Sequence, residues 1–147
     1  TPPSSPAPLE RAAAYPAHFA SKLASLAALL APFGVTDIAA HPSPPSFFRL
    51  RTEFRVWHEG EDVYYVMFDG ATKKRYRVDE FETAGTRINE LMPRVLEAVK
   101  GDEVLRKKLF QVTFLTGLSG EAVVTMCYHT KIGEEWRKAA ERMRATL

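Results

Sequence analysis

Between Phe48 and His58 apolar and polar side chains alternate residue by residue. A strand turns successive side chains to opposite faces. One face then carries Phe48, Leu50, Thr52, Phe54 and Val56, and the other Arg49, Arg51, Glu53, Arg55 and Trp57. The pattern predicts a β-strand with its apolar row on a core. Alternation is the ordinary state of a half-buried strand, so a solvated face of Arg–Glu pairs explains it as well as a surface for something anionic and flat, such as nucleic acid. Two shorter segments follow, Val63–Phe68 and Arg75–Val78. The turns between them fall at Glu59–Asp62, where Gly60 supplies the unusual dihedral, and at Asp69–Gly70. Together they predict an antiparallel meander with Arg75 and Arg77 on one face.

The period then becomes helical. From Thr83 to Lys100, Ile88, Leu91, Met92, Val95, Leu96 and Val99 recur on one stripe. Pro93 inside this run predicts a kink or a break. Asp102 is placed to cap a short basic helix through Lys107. Leu109–Leu115 and Glu121–His129 read as two more strands around a turn at Gly117–Gly120, and a last helix over Glu134–Thr146 turns Trp136, Ala140 and Met143 inward. At the other end a helix is expected over Pro16–Ala31, with Phe19, Leu23, Leu26 and Leu30 on its stripe, stopped by Pro32 and Gly34. His41–Ser46 is an extended linker, and residues 1–14 form a Pro/Ser-rich tail expected to be disordered. The order implies an α+β fold: an antiparallel β-sheet with helices packed on one face, preceded by an N-terminal helix, in one domain over residues 15–147.

Charge adds a constraint. Lys and Arg number 20 against 18 Asp and Glu, a net charge of only +2. Binding a polyanion therefore requires local concentration, and the basic residues do cluster, at Arg49–Arg55, Lys73–Arg77 and Arg106–Lys108. The single cysteine, Cys127, excludes an intrachain disulfide and a cysteine-based metal cage and suits a reducing, cytoplasmic setting. No run approaches the roughly 18 apolar residues of a membrane span, so no membrane partner is expected. The N-terminus lacks the layout of a secretory signal and an initiator Met, which points to a processed or partial chain.

Catalytic machinery is sparse. No Gly-rich loop stands between a strand and a helix to cradle a phosphate. His18, His41, His58 and His129 form no i, i+4 pair, so zinc is not expected. Cys127, in an apolar strand, reads as a small buried residue. Phe110 follows the triplet Arg106-Lys107-Lys108 and is either a core residue or a stacking platform. His129 either caps the end of its strand or contacts a base or phosphate.

Several segments resemble, in order, the bacterial tRNA (uracil-5-)-methyltransferases. They are Arg49-Leu-Arg51-Thr-Glu53-Phe-Arg55-Val-Trp57-His58-Glu-Gly60, Leu105-Arg106-Lys-Lys-Leu-Phe110-Gln111, Leu115-Thr-Gly-Leu-Ser119-Gly-Glu-Ala-Val-Val, Tyr128-His129 and Glu134-Glu135-Trp136-Arg137. The resemblance runs from about Tyr15 to Leu147. It implies methylation of carbon 5 of a T-loop uridine in tRNA, and in the tRNA-like part of tmRNA, by S-adenosylmethionine. In that family a cysteine adds to carbon 6 of the uracil and a carboxylate removes the carbon 5 proton. Both lie in a C-terminal Rossmann-like domain that this sequence does not include, and Cys127 does not occupy the nucleophile's motif. The chain is thus expected to be the N-terminal RNA-recognition portion, inactive alone and binding no S-adenosylmethionine itself. Its natural partners would be the T-arm and the catalytic domain, and an exposed docking face would favour dimerisation. The RNA-contacting residues implied are Arg49, Arg51, Arg55, Phe110 and His129. Two alternatives remain open at this point: a stand-alone RNA-binding module without catalysis, and a protein-interaction domain.

Overall fold

Thr52, Phe54 and Val56 are buried while Arg51, Glu53 and Arg55 between them are exposed, so the alternation read from the sequence survives in three dimensions. A computed structural model describes residues 8–147. By contacts the chain divides after Phe48 into two units.

In the first unit, helix α1 spans Pro8–Leu30 and ends in a single 3₁₀ turn, Ala31–Phe33, closed by Gly34 at φ 75°. The helix begins eight residues earlier than expected, so residues 8–14, which the sequence pattern assigned to a tail, are helical; residues 1–7 lie outside the described residues. Pro16 falls inside the helix rather than starting it. Tyr15 stacks on Phe19 one turn on, at 6.1 Å between centroids, and its hydroxyl accepts from the Ser43 backbone N–H at 2.8 Å, fixing the prolyl segment to the helix.

The second unit contains strands β1 (Arg51–Glu59), β2 (Asp62–Phe68), β3 (Arg75–Arg77), β4 (Leu109–Thr116) and β5 (Ala122–Tyr128), with helices α2 (Thr86–Gly101), α3 (Glu103–Arg106) and α4 (Glu134–Arg144). All strand pairs are antiparallel, in the order β3-β2-β1-β4-β5. The expected meander forms one half of the sheet and the β4–β5 hairpin adds on the free edge of β1, so the arginine strand sits at the centre. Gly60, at φ 62°, makes the β1–β2 turn as expected.

The core lies between the sheet and α2. Ile88, Leu91, Met92, Val95 and Val99, the predicted stripe, are all buried against Phe54, Tyr65, Val112 and Phe114. Phe54 meets Tyr65, Phe81 and Phe114 with centroids 5.3, 5.6 and 6.2 Å away; tilted aromatic pairs of this kind each add about 1 kcal/mol beyond area burial. Helix α2 runs through Pro93 as one continuous helix, so of the expected kink or break the break does not occur. Pro93 is exposed, and the burial of Met92 and Val95 on the opposite side holds the helix together. At its start the Asn89 side chain clamps the preceding loop, accepting from Phe81 N–H at 2.8 Å and donating to the carbonyls of Phe81, Ala84 and Gly85. Asp102 caps α3 as expected, accepting from Val104 N–H at 2.9 Å and Leu105 N–H at 3.3 Å.

Candidate nucleic-acid interface

With the helices on the inner face, the outward row of β1 faces away from the core. The register sets Val66 and Gln111 on either side of Arg55, and Tyr64 beside Trp57. Further out, Arg77 pairs with Val66 and Cys127 with Gln111. One cross-sheet row therefore reads Arg77, Val66, Arg55, Gln111, Cys127.

Phe110 reaches this face through a defect in β4. Leu109 pairs with Tyr128 and Gln111 with Cys127, so Phe110 is one residue too many. Such a bulge bends its strand and re-aims the extra side chain. Lys108, just before it, has φ 61°, the left-handed region that a lysine rarely occupies. Its carbonyl accepts from the His129 N–H at 3.0 Å, which fixes the distorted segment to the end of β5.

The result is a three-layer stack. The Arg55 guanidinium carbon lies 3.8 Å from the Phe110 centroid. The His129 ring stacks on Phe110 at 4.0 Å between centroids, with 30° between planes. Two planar groups so close to one centroid do not fit on one side of the ring, so Phe110 is sandwiched. Phe110 is half-buried and absent from the core, and His129 is exposed. Phe110 is therefore not the core residue that one reading of the sequence allowed, and His129 stands exposed at the end of β5.

The other expected contacts lie apart. Arg49 precedes β1, which corrects its expected place in the strand; its backbone donates to Thr83 C=O at 2.9 Å and accepts from Gly85 N–H at 2.8 Å. Phe48 and Leu50 likewise precede the strand and are exposed. Arg51 is in the strand but spends its charge on Glu53, at 3.4 Å. Cys127 is half-buried on the outward row, not enclosed in the core as expected.

Sequence reasoning missed a second aromatic–arginine pair. Arg75 reaches from β3 across β2 to lie 3.9 Å over the Trp57 ring. A third pair, Arg77 over Tyr64 at 4.8 Å, is of a different kind. Arg77 is neutralised by Asp79 at 2.8 Å and Asp62 at 3.1 Å, and the hydrogen bond that its Nε donates to Asp79 raises its pKa. Asp62 is held below the usual carboxylate range, chiefly by its hydrogen bond with Lys100. Among the described residues Arg55 and Arg75 have no carboxylate within ion-pair distance. The two arginines of this face that keep their charge are the two on Phe110 and Trp57. Flat cations on aromatic rings, with charge left over, suit phosphates and unstacked bases.

Between the pairs lies a cleft of about 390 Å³ walled by Trp57, His58, Phe110 and His129, with Lys108 on its lining. The His58 Nε2 sits 2.8 Å from the Leu109 carbonyl oxygen, so Nε2 carries the proton and donates. A larger hollow of about 480 Å³ beside Trp136 gathers Glu103, Glu134 and Glu135 against Lys107 and Lys131, a balance that favours neither sign of ligand.

A five-stranded antiparallel sheet with helices on one face and an arginine–aromatic row on the other has the makings of a nucleic-acid-binding module. The chain belongs to the tRNA (uracil-5-)-methyltransferase family, whose model matches residues 14–147. It is 45% identical over 133 residues to the tRNA/tmRNA (uracil-C(5))-methyltransferase of Vibrio cholerae O395, which covers 90% of this chain and 36% of that protein. The Vibrio parahaemolyticus protein of the same name is 47% identical over 133 residues, again 90% of this chain and 36% of the relative. That of Haemophilus influenzae PittEE is 49% identical over 126 residues, 86% and 35%. The chain thus spans little more than a third of the length of the curated relatives it matches.

Proposed function

We propose that this chain is the RNA-recognition portion of an S-adenosylmethionine-dependent tRNA (uracil-5-)-methyltransferase acting on the T-loop in the cytoplasm, and that RNA lies on the open face of its sheet. The observation that carries the reading is the Arg55–Phe110–His129 stack. A uridine in a folded loop has to leave its neighbours before its carbon 5 can be reached. An outward pile of planar side chains offers the remaining loop bases a replacement surface, and Arg55 offers a phosphate contact. Arg49 adds peripheral charge, and Arg51, paired with Glu53 on the open face, adds guanidinium donors beside it. The same face would accept the tRNA-like part of tmRNA, in keeping with the name the relatives carry.

Methyl transfer in this proposal belongs to a catalytic domain outside these 147 residues, which supplies the methyl donor site, the cysteine nucleophile and the carboxylate base. Cys127 is given no part in it. Without that domain the chain is inactive and binds no S-adenosylmethionine. The exposed cross-strand pair Leu115–Val123, with Leu118 at the hairpin tip, is the apolar surface on which two copies would associate.

Binding of the chain to a T-arm hairpin and to a hairpin of scrambled loop sequence, each across a salt series, tests the reading. The expected result is preference for the T-arm, weakening steeply with salt and lost in Phe110→Ala. Equal, weak binding to both hairpins would leave this chain as a source of charge only.

A further inference from the structure

We infer that the cleft beside the stack is a nucleotide subsite of its own: Trp57 takes one unpaired base on its ring and Lys108 takes the adjoining phosphate. This rests on the reading that RNA lies on the open sheet face, and it adds a second base position to the one offered by the Arg55–Phe110–His129 pile.

Three independent features converge on the cleft. The first is the state of Trp57. It is the outward residue of β1 two positions past Arg55, half-buried, and it lines the cleft. Arg75 covers it at 3.9 Å without a carboxylate partner among the described residues. A guanidinium holds a ring in place and strengthens its stacking on a base, while its own charge stays available to a phosphate.

The second is Lys108. An L-residue in the left-handed region costs about 1 kcal/mol that glycine would avoid. Lys108 occupies that region just ahead of the bulge and lines the cleft, with no carboxylate within ion-pair distance among the described residues. A strained backbone carrying an uncompensated ammonium at a cleft points to a ligand charge.

The third is spacing. Residues two apart on a strand are about 6.8 Å apart along it, twice the roughly 3.4 Å between neighbouring nucleotides of a duplex strand. Bases held at the Arg55–Phe110 row and at Trp57 are therefore parted from one another. The face therefore offers two base positions more than one stacking step apart, which an opened loop can fill, and the cleft's volume of about 390 Å³ lies in the range of small-ligand sites.

The test uses a T-arm hairpin and a fully paired duplex of the same stem. Trp57→Leu is expected to weaken hairpin binding about 5- to 150-fold, the worth of one stacked base, and to leave duplex binding unchanged. Lys108→Gln is expected to lower the salt slope for the hairpin by about one. In a Trp136→Phe chain, Trp57 is the sole tryptophan, and its emission should be quenched as hairpin is added but not as duplex is added. That fluorescence decides the matter even if Trp57→Leu fails to fold. Unchanged emission at saturating hairpin, or full-affinity hairpin binding by Trp57→Leu, overturns the subsite. Should Phe110→Ala still abolish hairpin preference in that case, the wider RNA reading stands and only the Trp57 subsite is lost; should neither variant alter binding, both fall.

Discussion

The Arg55 guanidinium carbon lies 3.8 Å above the centroid of Phe110, a residue that enters this face only because β4 carries one residue too many. The contact joins the central strand to the bulge, and on the far side of the ring His129 completes the pile.

Arg55 and Phe110 should act as a unit. Arg55→Ala and Phe110→Ala are each expected to weaken T-arm hairpin binding by about 1–3 kcal/mol. The double variant should lose less than the sum, because neighbours in contact are not additive. A double-mutant cycle from equilibrium titrations measures the difference.

Lys108→Gly should stabilise the fold while weakening RNA binding. Relief of the left-handed backbone is worth about 1 kcal/mol, which for a unit of this size raises the melting temperature by about 4–8 °C. Thermal unfolding followed by circular dichroism reads the shift.

Thr52 is buried on the core face of β1, and its hydroxyl has no hydrogen-bond partner among the described residues. Burying an unpaired hydroxyl costs about 1–3 kcal/mol. Thr52→Val, nearly the same shape, should therefore be neutral or stabilising in urea denaturation. Phe114→Ala, on the same core, should cost about 3–5 kcal/mol.

Acid should loosen the junction between α3 and α4. Asp102 caps α3 and accepts from Arg142 Nη2 at 3.0 Å. Partial burial raises its pKa, but the hydrogen bonds from Arg142, Val104 and Leu105 outweigh that and leave it lowered. A lowered carboxylate pKa stabilises the fold fully above the ordinary value of about 4 and loses that contribution as pH falls through the folded value. Asp69, lowered chiefly by its hydrogen bond from the Thr72 N–H, follows the same sign. Stability should fall below about pH 4, and Asp102→Asn should flatten that fall in a urea series at stepped pH.

The parts legible in the sequence were those with a local signature. Alternation along β1 and the stripe Ile88–Leu91–Met92–Val95–Val99 specified which faces are buried, because burial dominates both. Asp102 was legible as a cap because a carboxylate there has backbone donors two and three residues on. Phe110 left two readings open because its direction depends on a bulge, and Lys108 gives no hint of the left-handed backbone that a glycine would have advertised. The Arg75–Trp57 contact spans three strands, and only the sheet order brings the two together. Pro93 misled because the rule for helix interiors weighs the lost hydrogen bond and not the tertiary packing that holds the helix across it. The start of α1 lies eight residues ahead of the expected Pro16, because Pro8 opens the helix and Pro16 is carried inside it.

Cys127 offers the most direct check that RNA lies on the open face. It is the only cysteine, it is half-buried, and it sits in the outward row beside Gln111, next to the Phe110 bulge. The rate of its alkylation by a small thiol reagent should fall several-fold when the T-arm hairpin is saturating, and the scrambled hairpin at the same concentration should protect it less. An alkylation rate unchanged by bound hairpin would put the RNA elsewhere on the molecule and contradict the account.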